Sequence, residues 1–116
     1  MRFESQIHDG VCILRLDGRF VTGSDAELLS ARNFLQEIGI ARAVLDLSAV
    51  PYLDSTGLAF VVELHKSLAS RGGQLFLADA SRRVREVLQM TRIDVIVPLF
   101  QDVEDAAAAL RGEVLC

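Results

Sequence analysis

Apolar and polar positions follow two periods along this chain, and each change of period marks a boundary between strand and helix. Phe3 to Ile7 and Val11 to Leu16 read as two short strands joined at His8-Asp9-Gly10, where Asp-Gly permits positive φ. In the second strand Cys12, Leu14 and Leu16 share one face, while Val11, Ile13 and Arg15 share the other. Ser24-Asp25-Ala26-Glu27 is a capping box that opens a helix. Leu28, Ala31, Leu35 and Ile38 form the inner stripe of that helix, and Gly39 can supply its left-handed stop. Residues 43–47 are rich in branched apolar side chains, as a strand buried in a sheet should be. After Asp54, the apolar positions Leu58, Val61, Val62, Leu68 and Ala69 fall at helical spacing. They predict a helix from Thr56 to about Ser70, halted by Gly72-Gly73. Gln74 to Ala78 is a further strand, and Ser81 caps a helix that carries Val84, Val87 and Leu88 inward. Val95 to Phe100 reads as a last strand, which Pro98 places at a sheet edge because it cannot donate to a ladder. Asp102, followed by Glu104 and Asp105, begins an alanine-rich helix that ends near Gly112.

Strand–helix–strand units require parallel pairing with crossover connections, whereas the hairpin is antiparallel. The expected fold class is therefore α/β: a single-layer mixed sheet of four to five strands with helices packed on it. A chain of 116 residues is large enough for one hydrophobic core and too short for two, so residues 1–116 read as one domain. Composition agrees, since 51% hydrophobic with 24% charged residues describes a compact protein and not a disordered one. No apolar stretch approaches the ~20 residues that cross a bilayer, and Met1 to Gln6 lacks the apolar region of a signal peptide. The expectation is a cytoplasmic protein with no membrane insertion. A net charge of −4 argues against general nucleic-acid binding. Cys12 and Cys116 lack metal or redox spacing and read as reduced thiols. With no Cys-x-x-Cys, His-Glu-x-x-His or phosphate-binding Gly-Lys loop, no metal and no cofactor is expected.

The candidate chemistry lies in Leu45-Asp46-Leu47-Ser48 and Tyr52-Leu53-Asp54-Ser55-Thr56-Gly57-Leu58, where a strand ends and a helix begins. Ser55 falls at or near the N-cap, so its oxygen can accept from a backbone N–H two or three residues on. A phosphoryl group there would meet free N–H donors and the positive end of the helix dipole. Plain capping accounts for the same serine, and the residues alone leave both readings open. A hydrolytic role is disfavoured. The nucleophile elbow needs Gly-x-Ser-x-Gly, and Leu53 stands where the first glycine belongs. His65 lies ten residues further along the same helix, about 15 Å at 1.5 Å per residue, beyond reach of Ser55. It reads as a partly buried packing residue with one satisfied nitrogen, and His8 as exposed. Asp46 and Asp54 are candidates to converge near the helix N-terminus and assist a partner's Mg²⁺. Arg82, Arg83, Arg85 and Arg92 make a local basic cluster best read as a solvated face.

Asp54-Ser55-Thr56-Gly57-Leu58, following Val44-Leu45-Asp46-Leu47-Ser48, resembles the signature of STAS domains, the family of bacterial anti-sigma factor antagonists. The likeness continues through Val84-Arg85-Glu86-Val87-Leu88-Gln89-Met90-Thr91, similar to the family's third helix, and covers nearly the whole chain. The resemblance implies a regulatory protein and not an enzyme. It makes Ser55 the phosphoacceptor of an ATP-dependent anti-sigma factor serine kinase, with a serine phosphatase to reverse the modification. It implies a partner-binding face of Asp54, Thr56 and Gly57 with Gly18, Val21, Thr22, Gly23 and Ser24 from the loop after the second strand. In that reading Gly57 lets the partner's backbone come close, and the chain itself touches neither promoter nor polymerase. Two positions depart from the family. Val21 stands where many antagonists carry an aspartate, and Arg92 replaces the glycine usual after the third helix. The resemblance also extends to a different class, non-switching STAS subunits that pack on the ATPase of membrane lipid-transport complexes.

Overall fold

The computed structural model describes residues 2–18 and 25–112. Its hairpin closes as the Asp-Gly pair predicts: Asp9 and Gly10 take φ of 53° and 79°, a two-residue turn whose twist suits the flanking strands. β1 (Arg2–His8) thereby pairs antiparallel with β2 (Val11–Asp17), Phe3 opposite Leu16 and Ile7 opposite Cys12. The chain continues through α1 (Asp25–Ile38), β3 (Arg42–Ala49), α2 (Ser55–Ala69), β4 (Gln74–Ala78) and α3 (Arg82–Met90). It then passes through the short α4 (Ile93–Ile96) to β5 (Leu99–Phe100) and α5 (Val103–Leu110). Among the described residues the strands form one five-stranded mixed sheet in the order β1-β2-β3-β4-β5, parallel everywhere except in the hairpin.

Strand alternation assigns the two faces. Cys12, Leu14 and Leu16 of β2, Ala43, Leu45 and Leu47 of β3, and Leu75 and Leu77 of β4 form one buried face. Ala31 and Leu35 of α1, Val61, Leu64 and Leu68 of α2, and Val84 and Leu88 of α3 cover it. The intervening residues Val11, Val44, Phe76 and Ala78 point the other way, onto Ala106, Ala107 and Leu110 of α5. Truncating one of the fully buried leucines to alanine typically costs about 2–5 kcal/mol. Arg42 Nη1 donates to the Leu110 carbonyl at 3.0 Å and ties the end of α5 to the start of β3. Among the described residues no helix is long and apolar enough to cross a membrane.

The glycines after α2 do distinct work. Gly72, at φ 76°, donates to the Ala69 carbonyl, and Gly73 donates to the Leu68 carbonyl at 2.8 Å. Together these bonds form a Schellman stop. A Cβ on Gly73 would lie 1.8 Å from the Ala41 carbonyl oxygen, so only glycine lets the end of α2 press against the entrance of β3.

The segment after α3 corrects the expected last strand from Val95 to Phe100. Ile93 and Val97 are buried four residues apart while Val95 and Ile96 are exposed, a helical spacing that builds α4 in place of a strand. Pro98 drives Val97 into the extended region, φ −119° and ψ 103°, and only Leu99 and Phe100 join the sheet. They lie at its edge, as Pro98 requires. Arg92 stands before α4 at φ 59° and ψ 21°, the left-handed position that ends α3, where glycine is at ease and a side chain is strained.

Candidate functional site

β3 hands the chain to α2 through a turn that stops on Asp54, not on Ser55. Asp54 is extended, with φ −114° and ψ −163°, and is the N-cap of α2. Its Oδ1 accepts from the N–H of Thr56 at 2.9 Å and of Gly57 at 3.3 Å. Its carbonyl takes the first helical bond, from Leu58, at 2.9 Å. This corrects the expectation that the Ser55 oxygen makes the cap. It also narrows the expectation of free donors at the helix start, because the aspartate already occupies those of Thr56 and Gly57. Ser55 is the first residue of α2 and its side chain is exposed. One carboxylate holds the helix, and the adjacent hydroxyl is left to face outward.

The other expected site residues separate. Thr56 is half-buried beside Ser55, whereas Gly57 is buried. Gly18, at φ 114°, donates to the Ala49 carbonyl at 3.1 Å. That bond sets the end of β2 beside the end of β3, at the edge from which the turn to α2 departs. Val21, Thr22, Gly23 and Ser24 lie outside the described residues, and so does the capping box built on Ser24.

Asp46 does not join Asp54. It shares a strand face with Val44, the face that packs under α5, and lines a cavity there with Glu4, Arg15 and Val103. Its Oδ1 accepts from the Ser48 N–H at 2.9 Å. Among the described residues no cluster of histidine, cysteine and carboxylate side chains is arranged to hold a metal ion. His65 is half-buried on α2, as its place on the apolar stripe predicts. Its Nδ1, however, is buried and finds no partner among the described residues. The four arginines have separate surroundings. Arg82 pairs with Glu86 at 3.1 Å, Arg83 lies over the Tyr52 ring at 5.7 Å, Arg85 lines a cavity with Gln89 and Asp94, and Arg92 ends α3.

Packing of α1 against α2 creates a feature that the sequence reading missed. A groove of about 450 Å³ runs beside the start of α2, lined by Leu29 and Arg32 from α1 and by Ser55, Thr56, Ala59, Phe60 and Glu63 from α2. Leu29 is 50% exposed on its rim, an uncovered apolar side chain next to the serine. The Nε of Arg32 is buried without a hydrogen-bond acceptor among the described residues. The one sequence signal was Leu29 and Arg32 at a spacing of three, which puts them on one side of a helix.

Known proteins are similar to this chain in both sequence and architecture. The STAS domain model matches residues 2–106. BtrV of Bordetella bronchiseptica, named as a candidate anti-sigma factor antagonist, is 36% identical over 104 residues, 89% of each chain. The anti-sigma F factor antagonist of Paenibacillus polymyxa is 26% identical across 95% of each chain. The crystal structure of an anti-sigma factor antagonist from Mycobacterium paratuberculosis superposes with a TM-score of 0.84 at 26% identity, covering 94% of this chain and 92% of that one. With the family's pattern running from the first strand into the last described helix, this chain belongs to the STAS domain family.

Proposed function

We propose that this chain is an anti-sigma factor antagonist that works by phosphorylation-controlled partner switching. The observation that carries the reading is the division of labour at the start of α2. Asp54 satisfies the helix, which leaves the Ser55 hydroxyl exposed and unencumbered on a rigid platform. The named relatives support the partner class. Unphosphorylated, the surface around Ser55 and Thr56 binds an anti-sigma factor that is also an ATP-dependent serine kinase. The kinase transfers the γ-phosphoryl of ATP to Ser55 Oγ. The Oγ–P bond forms as the bond to the β-phosphate oxygen breaks, ADP leaves, and the hydroxyl proton passes to the kinase's base. The product carries about −1.5 to −2 charges at the contact, next to the carboxylate of Asp54. Losing roughly 3 kcal/mol there weakens binding by about two orders of magnitude. A serine phosphatase restores the binding form.

Phosphopeptide mapping after incubation with the cognate kinase and ATP should place the label on Ser55; label persisting in Ser55→Ala, on Thr56 for instance, overturns the assignment. Ser55→Asp and Ser55→Glu should bind the partner more weakly in calorimetric titration while remaining folded, because the dipole at the start of α2 favours an anion. Equal affinities for wild type and both variants refute a charge switch at this face and favour the transporter-subunit class.

A further inference from the structure

We propose that Arg32 is the receiver for the phosphoryl group on Ser55, so that the modified side chain lies down in the groove between α1 and α2. This rests on Ser55 being the phosphoacceptor. Two independent observations lead to it. The backbone donors that a phosphoryl group at a helix start would ordinarily use, the N–H groups of Thr56 and Gly57, are already bonded to Asp54 Oδ1. The Asp54 carboxylate also repels an anion from that side. Another donor side chain lines the same groove as Ser55: Arg32, whose Nε is buried and bonded to no acceptor among the described residues. Glu63 lines the groove too, yet no ion pair joins it to Arg32.

An Nε–H shielded from water and without a partner is costly, and a neutral serine hydroxyl compensates little of that cost. Phosphoserine supplies three acceptor oxygens and close to two negative charges, and a guanidinium fork matches two of those oxygens at once. Phosphorylation of Ser55 therefore brings an acceptor into the groove that Arg32 lines. Occupying it draws the phosphoryl group toward Leu29 and α1 and changes the groove itself. The partner then meets a filled groove as well as a new charge.

The test needs no kinase, because phosphoserine can be installed at position 55 during translation. The second phosphate pKa is read by ³¹P titration. Arg32 lowers it, while Asp54 and Glu63 raise it. In Arg32→Gln the midpoint should move up by about half a unit or more, with Arg32→Lys in between. Arg71→Gln, beyond the far end of α2, should leave it unchanged. Equal midpoints in wild type and a folded Arg32→Gln overturn the proposal. In the wild-type chain, without any substitution at Arg32, the Arg32 Nε–H resonance should move downfield on phosphorylation; a shift no larger than that of Arg71 likewise overturns it. A kinase that labels some other residue refutes Ser55 as phosphoacceptor and is recorded separately from both readouts.

Discussion

Replacing Asp54 with alanine deletes the oxygen that holds the N–H groups of Thr56 and Gly57 at 2.9 and 3.3 Å. Loss of a cap costs about 0.5–2 kcal/mol. The upper end applies here, because two donors are released and Gly57 is buried where water cannot replace the carboxylate. For a domain of this size, about 2 kcal/mol corresponds to a fall in Tm of roughly 8 °C. Ser55→Ala removes a hydroxyl that takes no part in the cap and introduces the best helix former, so its effect should stay within about 0.5 kcal/mol. Urea unfolding followed by circular dichroism measures both, and an unchanged m-value certifies that the comparison concerns stability alone. If Ser55→Ala costs as much as Asp54→Ala, the serine is structural and the division of labour at this turn is wrong.

Three other substitutions or conditions probe the frame. Arg92→Gly should stabilise by about 1 kcal/mol in the same assay by relieving the left-handed strain at φ 59°; a loss of stability shows that the arginine side chain contributes more than its strain. Gly72→Ala should cost about 1 kcal/mol, whereas Gly73→Ala, with its Cβ 1.8 Å from the Ala41 carbonyl, should exceed about 3 kcal/mol; equal effects refute the close approach. Burial pushes the Cys12 thiol up to about 11, so the folded chain keeps its proton where the unfolded chain, near pKa 8.5, has lost it. That contribution to stability is whole below about pH 8 and declines as pH rises toward 11, and in a Cys116→Ser background iodoacetamide at pH 8.5 should reach Cys12 only through unfolding. Native labelling as fast as in urea contradicts the burial.

Local periodicity carried most of the architecture. The alternation of Cys12, Leu14 and Leu16 against Val11 and Ile13 told the two sheet faces apart, and the faces bury as that pattern requires. The same alternation held the answer for Asp46, which sits between Leu45 and Leu47 and must therefore point away from α2. Choosing between Asp54 and Ser55 as the cap was beyond the sequence, because both residue types cap well. The choice depends on which of them the turn after β3 leaves extended. Val95 to Phe100 misled because five apolar residues around Pro98 suit a strand, while the deciding pair, Ile93 and Val97, spans the helical period. The groove holding Arg32 arises from the packing of two helices whose facing residues are more than twenty positions apart, and no window on the sequence contains both.

Strand order in this sheet equals chain order, with one element standing outside that sequence of additions. As the chain emerges during synthesis, each new strand docks at the growing edge of what is already present, and α1, α2 and α3 cover one face as they appear. Val11, Val44 and Phe76 must wait, since their cover is α5, some twenty-five residues after the end of β4. At a translation rate of 5–20 residues per second, that leaves an apolar sheet face open for roughly a second or more. The nascent chain is thus most prone to association just before residues 103–110 arrive, and the Arg42–Leu110 bond closes that interval.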